Sequence, residues 1–137
     1  MSNVASLENS KRLYELSGWD GTRFVRCVWS GGTVQLLYMD SEDHRDMSRS
    51  VAQEYIPAYD CGYLLRKLPH NDEYSFPEIH LDETKEKQIW FAGYEDTGRE
   101  EYGYKLSAFA DTPEDTLCLL AIKLFEQGIL TNKLEEE

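Results

Sequence analysis

The sequence predicts a single α/β domain of the α+β type, residues 1–137, with a mainly antiparallel sheet covered by helices. The length is that of one ordinary domain. Apolar residues make up 41% of the chain and aromatic residues 12%, which is enough for one hydrophobic core. The predicted elements follow in the order α-β-β-α-β-β-β-α, and the short connections between strands favour antiparallel pairing.

The first third of the chain predicts a helix followed by a β-hairpin. The helix covers Ser6–Ser17 and ends at Gly18, a residue that suits a helix C-terminus. The hairpin pairs Thr22–Trp29 with Thr33–Met39, because both segments are rich in β-branched and aromatic residues. Ser30-Gly31-Gly32 between them is typical of a tight turn.

The middle of the chain predicts an exposed loop, a second helix and the entry to a strand. Asp40–Arg49 is polar, carries six ionised side chains and is interpreted as the loop. Pro57 is predicted to open the second helix, and Pro69 to stop it. Tyr74–Leu81 predicts the strand entry, and Lys85-Glu86-Lys87 a turn.

The last third predicts two antiparallel strands and the clearest helix. The strands are Gln88–Tyr94 and Tyr102–Ala110. The helix covers Thr112–Gln127, with Thr112 as N-cap and Pro113 at its first position. Asp115 favours the helix N-terminus, although it is not the Glu or Gln of a capping box. Burial against the sheet is predicted for the apolar stripe Leu117, Leu120, Ala121 and Leu124, and fraying for residues 131–137.

Charge is distributed unevenly along the chain. The net charge is −12, of which residues 1–69 contribute −1 and residues 70–137 contribute −11. So acidic a surface repels phosphate backbones, which disfavours direct nucleic-acid binding, and it can attract a basic protein. Its plainest interpretation is solubility. With no signal peptide or membrane span predicted and three widely spaced cysteines, we expect a cytoplasmic protein with reduced thiols.

Five short motifs, in this order, resemble the phage ABA sandwich domain, a family of small proteins encoded by phages and prophages. They are Ser17-Gly18-Trp19, Pro57-Ala58-Tyr59-Asp60, Trp90-Phe91-Ala92, Ala110-Asp111-Thr112-Pro113 and Leu117-Cys118-Leu119-Leu120-Ala121. The resemblance spans most of the chain and departs at Asp60-Cys61-Gly62 and in the Asp40–Arg49 segment. It implies an α-β-α sandwich and a phage or prophage origin in a bacterial host, and no catalytic residues. The last third is also similar to HicB-type antitoxins.

Catalytic and cofactor motifs are absent from the sequence, so we predict a protein that is not an enzyme and binds no metal or cofactor. The three histidines, His44, His70 and His80, and the cysteines have no close ligand spacing. Cys61 with His70 could form a thiol–imidazole pair, but a packed cysteine is the stronger interpretation. Neither a nucleophile elbow nor a phosphate-binding loop occurs.

Other groups of side chains have simple interpretations. The paired carboxylates lie in hydrophilic stretches and are interpreted as solvated charges. Four aromatic residues with Arg23 and Arg26 could form a stacking surface for bases. This hypothesis is weakened because the two arginines fall on opposite faces of a strand. The aromatic residues are Trp19, Trp29, Tyr38 and Tyr55.

The sequence favours an interaction protein that binds a basic host or phage protein through its acidic second half. Inhibition of a nucleic-acid-binding or defence protein of the host, as by an anti-CRISPR, would suit such a surface. The predicted contacts are Glu95, Asp96, Glu100, Glu101 and Tyr102 on one charged connection, with Asp82, Glu83 and Glu86 beside it.

Several alternatives stay open at this point. The chain could bind a nucleotide-like ligand, with Arg45, Arg66 or Lys67 neutralising its charge. It could act as an antitoxin against a basic toxin, or have a structural or assembly role in a phage. The strongly apolar last helix could also form a homo-oligomeric interface.

Overall fold

The computed structural model describes residues 3–39, 46, 49–69, 77–83, 88–95 and 104–130. Three helices and six strands have both ends within these residues. In chain order they are α1 (Leu7–Ser17), β1 (Phe24–Val28), β2 (Val34–Tyr38), β3 (Glu54–Ala58), α2 (Cys61–Lys67), β4 (Glu78–Glu83), β5 (Gln88–Glu95), β6 (Tyr104–Ala110) and α3 (Pro113–Glu126). Residues 131–137, predicted to fray, lie outside the described residues.

The strands form two antiparallel sheets of three strands each, which confirms the predicted α+β class. The N-terminal sheet has the order β2-β1-β3, and the C-terminal sheet the order β4-β5-β6. Helix α3 packs on β5 and β6, and α1 packs on both α3 and β3. The two helices thereby connect two sheets, whereas the sequence had predicted one sheet covered by helices.

Helix α3 supplies the centre of the main core. All four residues of its predicted stripe are fully buried, which confirms that prediction. The Thr112 hydroxyl accepts a hydrogen bond from the Asp115 amide at 3.2 Å, so Thr112 is the N-cap as predicted. At the other end Gly128 has a φ of 77°, a left-handed conformation that glycine adopts without strain.

Asp115 joins the beginnings of two helices. Its Oδ1 accepts hydrogen bonds from the Ser6 amide at 2.7 Å and from Asn9 Nδ2 at 3.0 Å. Ser6 is the N-cap of α1, and its hydroxyl accepts from the Asn9 amide. The Asp115 carboxylate therefore caps a neighbouring helix instead of closing a box in its own, and it fixes α1 against α3.

The hairpin between β1 and β2 forms as the sequence predicts. Phe24 pairs with Tyr38 and Val28 with Val34. Gly31 and Gly32 in the connection have φ values of 96° and 87°, the left-handed values that tight hairpin turns require. The hairpin is thus specified locally by its two glycines.

Pro57 lies in a strand, so the prediction that it opens the second helix is wrong. It lies in the edge strand β3 and pairs with Val25 of β1. An edge strand tolerates a residue without an N–H group. Helix α2 begins four residues later at Cys61, and Asp60 is its N-cap, accepting from the Tyr63 amide at 2.8 Å.

Two further sequence predictions need correction. Within Asp40–Arg49, interpreted as a loop, the described residues Asp46 and Arg49 are helical and exposed. The strand predicted from Tyr74 begins at Glu78. No helix among the described residues is long and apolar enough to cross a membrane.

Candidate functional site

The acidic residues predicted to bind a partner do not lie side by side. Asp82 and Glu83 end β4 and pair with Ile89 and Gln88 at the start of β5, whereas Glu95 is the last residue of β5. Glu95 lies six positions along the strand from Ile89, roughly 20 Å at about 3.3 Å per residue. Asp82 and Glu83 therefore lie at the opposite end of β5 from Glu95. Glu86, Asp96, Glu100, Glu101 and Tyr102 lie outside the described residues.

Arg26 holds elements together and is not part of a binding surface. It is buried in β1 and donates to the Ala5 carbonyl at 2.7 Å and to the Ser10 hydroxyl at 3.4 Å. Burial lowers the pKa of the Arg26 guanidinium, and the nearby Asp115 carboxylate opposes that shift. Arg26 thus fastens the N-terminal sheet to the start of α1.

The four aromatic residues considered for a stacking surface lie apart. Trp29 and Tyr55 pack on a small core of Val25, Cys27 and Met39 on one face of the N-terminal sheet. Tyr38 lies on the opposite face, and Trp19 packs on the main core. No single stacking surface results.

The cysteines are poor nucleophiles. Burial, with smaller contributions from the Glu114 and Asp60 carboxylates, raises the pKa of Cys61 to about 11. Burial also raises the pKa of the Cys27 and Cys118 thiols. A raised pKa disfavours the thiolate, the form of cysteine that acts as a nucleophile.

The described histidine and the acidic side chains do not suggest a metal centre. Within the described ranges no group of three His, Cys, Asp or Glu side chains could hold a metal ion. His80 stacks on Phe91 with ring centroids 4.7 Å apart. The other two histidines, His44 and His70, lie outside the described residues.

An exposed apolar row runs along β2. Val34, Leu36 and Tyr38 share one face of the N-terminal sheet and are 46%, 39% and 49% exposed. Helix α1 packs on β3, the opposite edge strand of this sheet, and leaves the row exposed. Phe24 and Val28 on β1 continue the same face and are half-buried. Arg26, the cross-strand partner of Leu36, lies between them on this face, so the exposed apolar row is confined to β2 and the flanking residues of β1.

β2 is also an edge of the described N-terminal sheet, and its own sequence has no shielding residue. Edge strands of soluble proteins are usually shielded by charges or proline, because their unpaired backbone groups attract other strands. Among the four edge strands of the two described sheets, β3 has Glu54 and Pro57, β4 has charged side chains, and β6 has Lys105. In addition, Lys123 donates to the Ser107 carbonyl of β6. The sequence of β2, Val-Gln-Leu-Leu-Tyr, has neither charge nor proline.

A cleft lies between the end of α1 and helix α2. Its volume is about 460 Å³, and Gly18, Trp19, Asp20, Gly21, Tyr63, Arg66 and Lys67 line it. A larger cavity of about 590 Å³ lies between α1, α3 and β6. That cavity is lined by charges of both signs, and the Arg12–Glu126 ion pair at 3.4 Å links α1 to α3 there, so its charge selects no ligand class.

Sequence reasoning assigned no function to β2. It named Arg66 and Lys67 as cations for a nucleotide-like ligand, and both line the cleft, but it predicted neither the cleft nor its aromatic wall, and Arg45 lies outside the described residues. The strand of β2 was predicted, but alternation alone does not show which face another element will cover. A signal for the cleft was present in α2, where Tyr63 precedes Arg66 by three residues and Lys67 by four, the spacing of one helix face.

Comparison with known proteins adds no relative: no family model, no curated protein and no solved structure matches the chain. The resemblance to the phage family therefore stays a prediction. Function is inferred below from geometry and charge.

Proposed function

We propose that this protein acts by binding another protein, and that β2 adds an extended segment of a basic partner to the N-terminal sheet. The observation that carries the proposal is the uncharged, exposed edge strand Val34–Tyr38 with its apolar row. Phage or prophage origin, which the resemblance implies, would make the partner a host or phage protein.

Strand addition matches the chemistry of this edge. Backbone amides and carbonyls on the free side of β2 provide hydrogen bonds to any extended segment. Alternate side chains of that segment would meet Val34, Leu36 and Tyr38, whose contact with apolar groups removes them from water. Tyr38 is preorganised for such contact, because Arg23 donates to its hydroxyl at 3.1 Å and Phe24 packs edge-on against its ring at 5.5 Å.

Charge selects the partner. At a net charge of −12 the chain attracts a basic protein and repels a second copy of itself. The acidic residues at both ends of β5 act in this proposal through the field that they create, which accelerates encounter and does not require direct contact. Inhibition of a nucleic-acid-binding or defence protein of the host is the activity that such recognition supports best.

A paired substitution tests the edge. Leu36→Lys places a charge on β2, and Leu65→Lys places the same charge on α2 at a leucine that is equally exposed, 39% in each case. Tagged wild type and Leu65→Lys should capture the same basic protein from a bacterial lysate, and Leu36→Lys should lose it. With that partner purified, amide exchange of residues 34–38 should slow on binding.

Three outcomes would overturn the proposal: equal capture by both variants, a partner that leaves exchange at 34–38 unchanged, or a wild-type protein that only self-associates. A separate arm tests the charge mechanism. High salt and the double reversal Glu100→Lys with Glu101→Lys should both slow association and leave dissociation nearly unchanged. Association that ignores salt and both reversals would contradict electrostatic selection of the partner.

A further inference from the structure

The cleft beside α2 combines fixed aromatic rings with cations. Trp19 lies on the connection after α1, and Tyr63 lies on α2, with their ring centroids 6.4 Å apart. Arg66 and Lys67 follow on the same helix. Lys67 Nζ is 5.5 Å from the centroid of the Trp19 ring and 5.6 Å from that of Tyr63. Rings and cations therefore face one space.

The indole of Trp19 is held in place from several sides. Phe125 of α3 packs edge-on against it at 5.2 Å, and the Tyr59 hydroxyl donates to its backbone carbonyl at 2.6 Å. Tyr59 in turn stacks on Tyr63 at 5.5 Å. Since these neighbours belong to the main core, the aromatic wall of the cleft is rigid before any ligand arrives.

The cleft is positively charged in an acidic protein. Its one lining carboxylate, Asp20, forms an ion pair with Arg49 at 3.1 Å. Within the described part of the chain no carboxylate lies at ion-pair distance from Arg66 or Lys67. The position of both cations in the last turn of α2 agrees with the helix dipole. The dipole does not explain why they border an open space walled by aromatic rings.

We infer that this cleft binds a small organic anion with a planar ring, of the size of a nucleoside monophosphate. The ring would stack on the exposed part of the Trp19 indole, and the anionic group would bind Arg66 and Lys67. Lys67 is exposed and needs only to swing off the indole face to make that contact. A volume of about 460 Å³ lies within the range of about 300–1,000 Å³ that small-molecule sites occupy. This ligand is independent of the partner proposed for β2.

Calorimetric titration with AMP, GMP, CMP and UMP tests the inference, with adenosine and inorganic phosphate as partial probes. At least one monophosphate should bind, and each partial probe should bind at least about ten-fold more weakly, because it lacks the ring or the charge. Arg66→Gln and Lys67→Gln should each weaken binding by about ten-fold. Arg23→Gln, which removes an exposed cation outside the cleft, should leave the affinity unchanged.

The inference fails if none of the four monophosphates binds more tightly than about 1 mM. It also fails if phosphate alone binds as well as the monophosphates, or if Arg23→Gln weakens binding as much as Arg66→Gln. Leu36→Lys should bind the monophosphate with wild-type affinity, so the failure of either proposal can be told from the failure of the other. Circular dichroism of each variant verifies that the fold is retained.

Discussion

The two sheets of this protein differ in how completely their faces are buried. The C-terminal sheet places Ala92, Tyr94, Leu106 and Ala108 in the main core beneath α3. In the N-terminal sheet, α1 packs mainly on β3 and also binds Arg26 of β1, and among the described residues the core on the other face has three buried members. The C-terminal sheet therefore supports the fold, and the N-terminal sheet leaves apolar surface available for binding.

The edges of the sheets repeat this difference. Both edges of the C-terminal sheet carry charged residues, and Lys123 binds a carbonyl of β6. In the N-terminal sheet only the β3 edge has such features, and β2 has none. Because charge and proline are the usual means of preventing strand addition, their absence from a single edge indicates where addition is tolerated.

Removing a side chain between α3 and the C-terminal sheet should have the largest effect. Leu120→Ala leaves a cavity in the main core, so we expect it to lower the free energy of unfolding by about 2–5 kcal/mol. Leu119→Ala, at the half-buried neighbour, makes the same change in helix propensity and should cost less. Urea denaturation measures both. A Leu120→Ala cost under about 2 kcal/mol would contradict the assignment of this sheet as the fully packed one.

Overpacking the same sheet should come next. A Cβ at Gly93 would lie 2.8 Å from the Leu106 carbonyl oxygen and 3.1 Å from Ser107 Cβ, so β5 and β6 would have to separate. Gly93→Ala should therefore lower stability by about 1–3 kcal/mol. In Gly62→Ala, where the nearest atom is the end of the Arg66 side chain at 3.4 Å, the change should be neutral or stabilising. Equal effects in thermal unfolding would show that the strands approach less closely.

The sequence predicted the elements with local signals and missed those that depend on distant contacts. Thr112, Pro113 and Gly128 mark α3, and Gly31 and Gly32 mark the hairpin, through conformations that single residues favour. β3 was missed because Pro57 is compatible with a helix start as well as with an edge strand, and only pairing with Val25 decides between them.

The candidate sites were even less accessible from sequence. Leu36 is exposed and Leu120 is buried, although both are leucines in a periodic apolar pattern. Their burial differs because a packed element covers Leu120 and leaves Leu36 exposed. Trp19 and Lys67 are 48 positions apart, and packing of the α1–β1 connection against α2 brings them together. The net charge could be counted from the sequence, but only strand pairing shows that Asp82 and Glu83 lie at the opposite end of β5 from Glu95.

Removing the hydrogen bonds of Arg26 to the start of α1 should lower the free energy of unfolding less than the substitutions at the C-terminal sheet. Arg26→Met keeps most of the apolar stem and leaves the Ala5 carbonyl without its guanidinium donor. We expect a loss of about 1–2 kcal/mol, because the Ala5 carbonyl keeps only the Ser10 hydroxyl donor at 3.2 Å, while removal of the buried charge also removes its desolvation. Arg23→Met is the exposed control and should change stability by less than about 0.5 kcal/mol. A loss as large as that of Leu120→Ala would show that the two sheets are equally integral to the fold.

The smallest effect is expected on β2 itself. Leu36→Lys should change the free energy of unfolding of the isolated protein by no more than about 0.5 kcal/mol, because Leu36 is an exposed position on an edge strand, where the lysine stem can cover the same surface and keep its charge in water. Urea denaturation at two protein concentrations measures this, with Leu65→Lys beside it. A loss above about 1 kcal/mol that grows with protein concentration would mean that copies of the chain cover the row in solution. The N-terminal sheet would then be completed by self-association in spite of the net charge, and the basic partner would have to be sought at another surface. A neutral result joined to lost partner binding would instead identify β2 as a surface that serves binding and contributes little to stability.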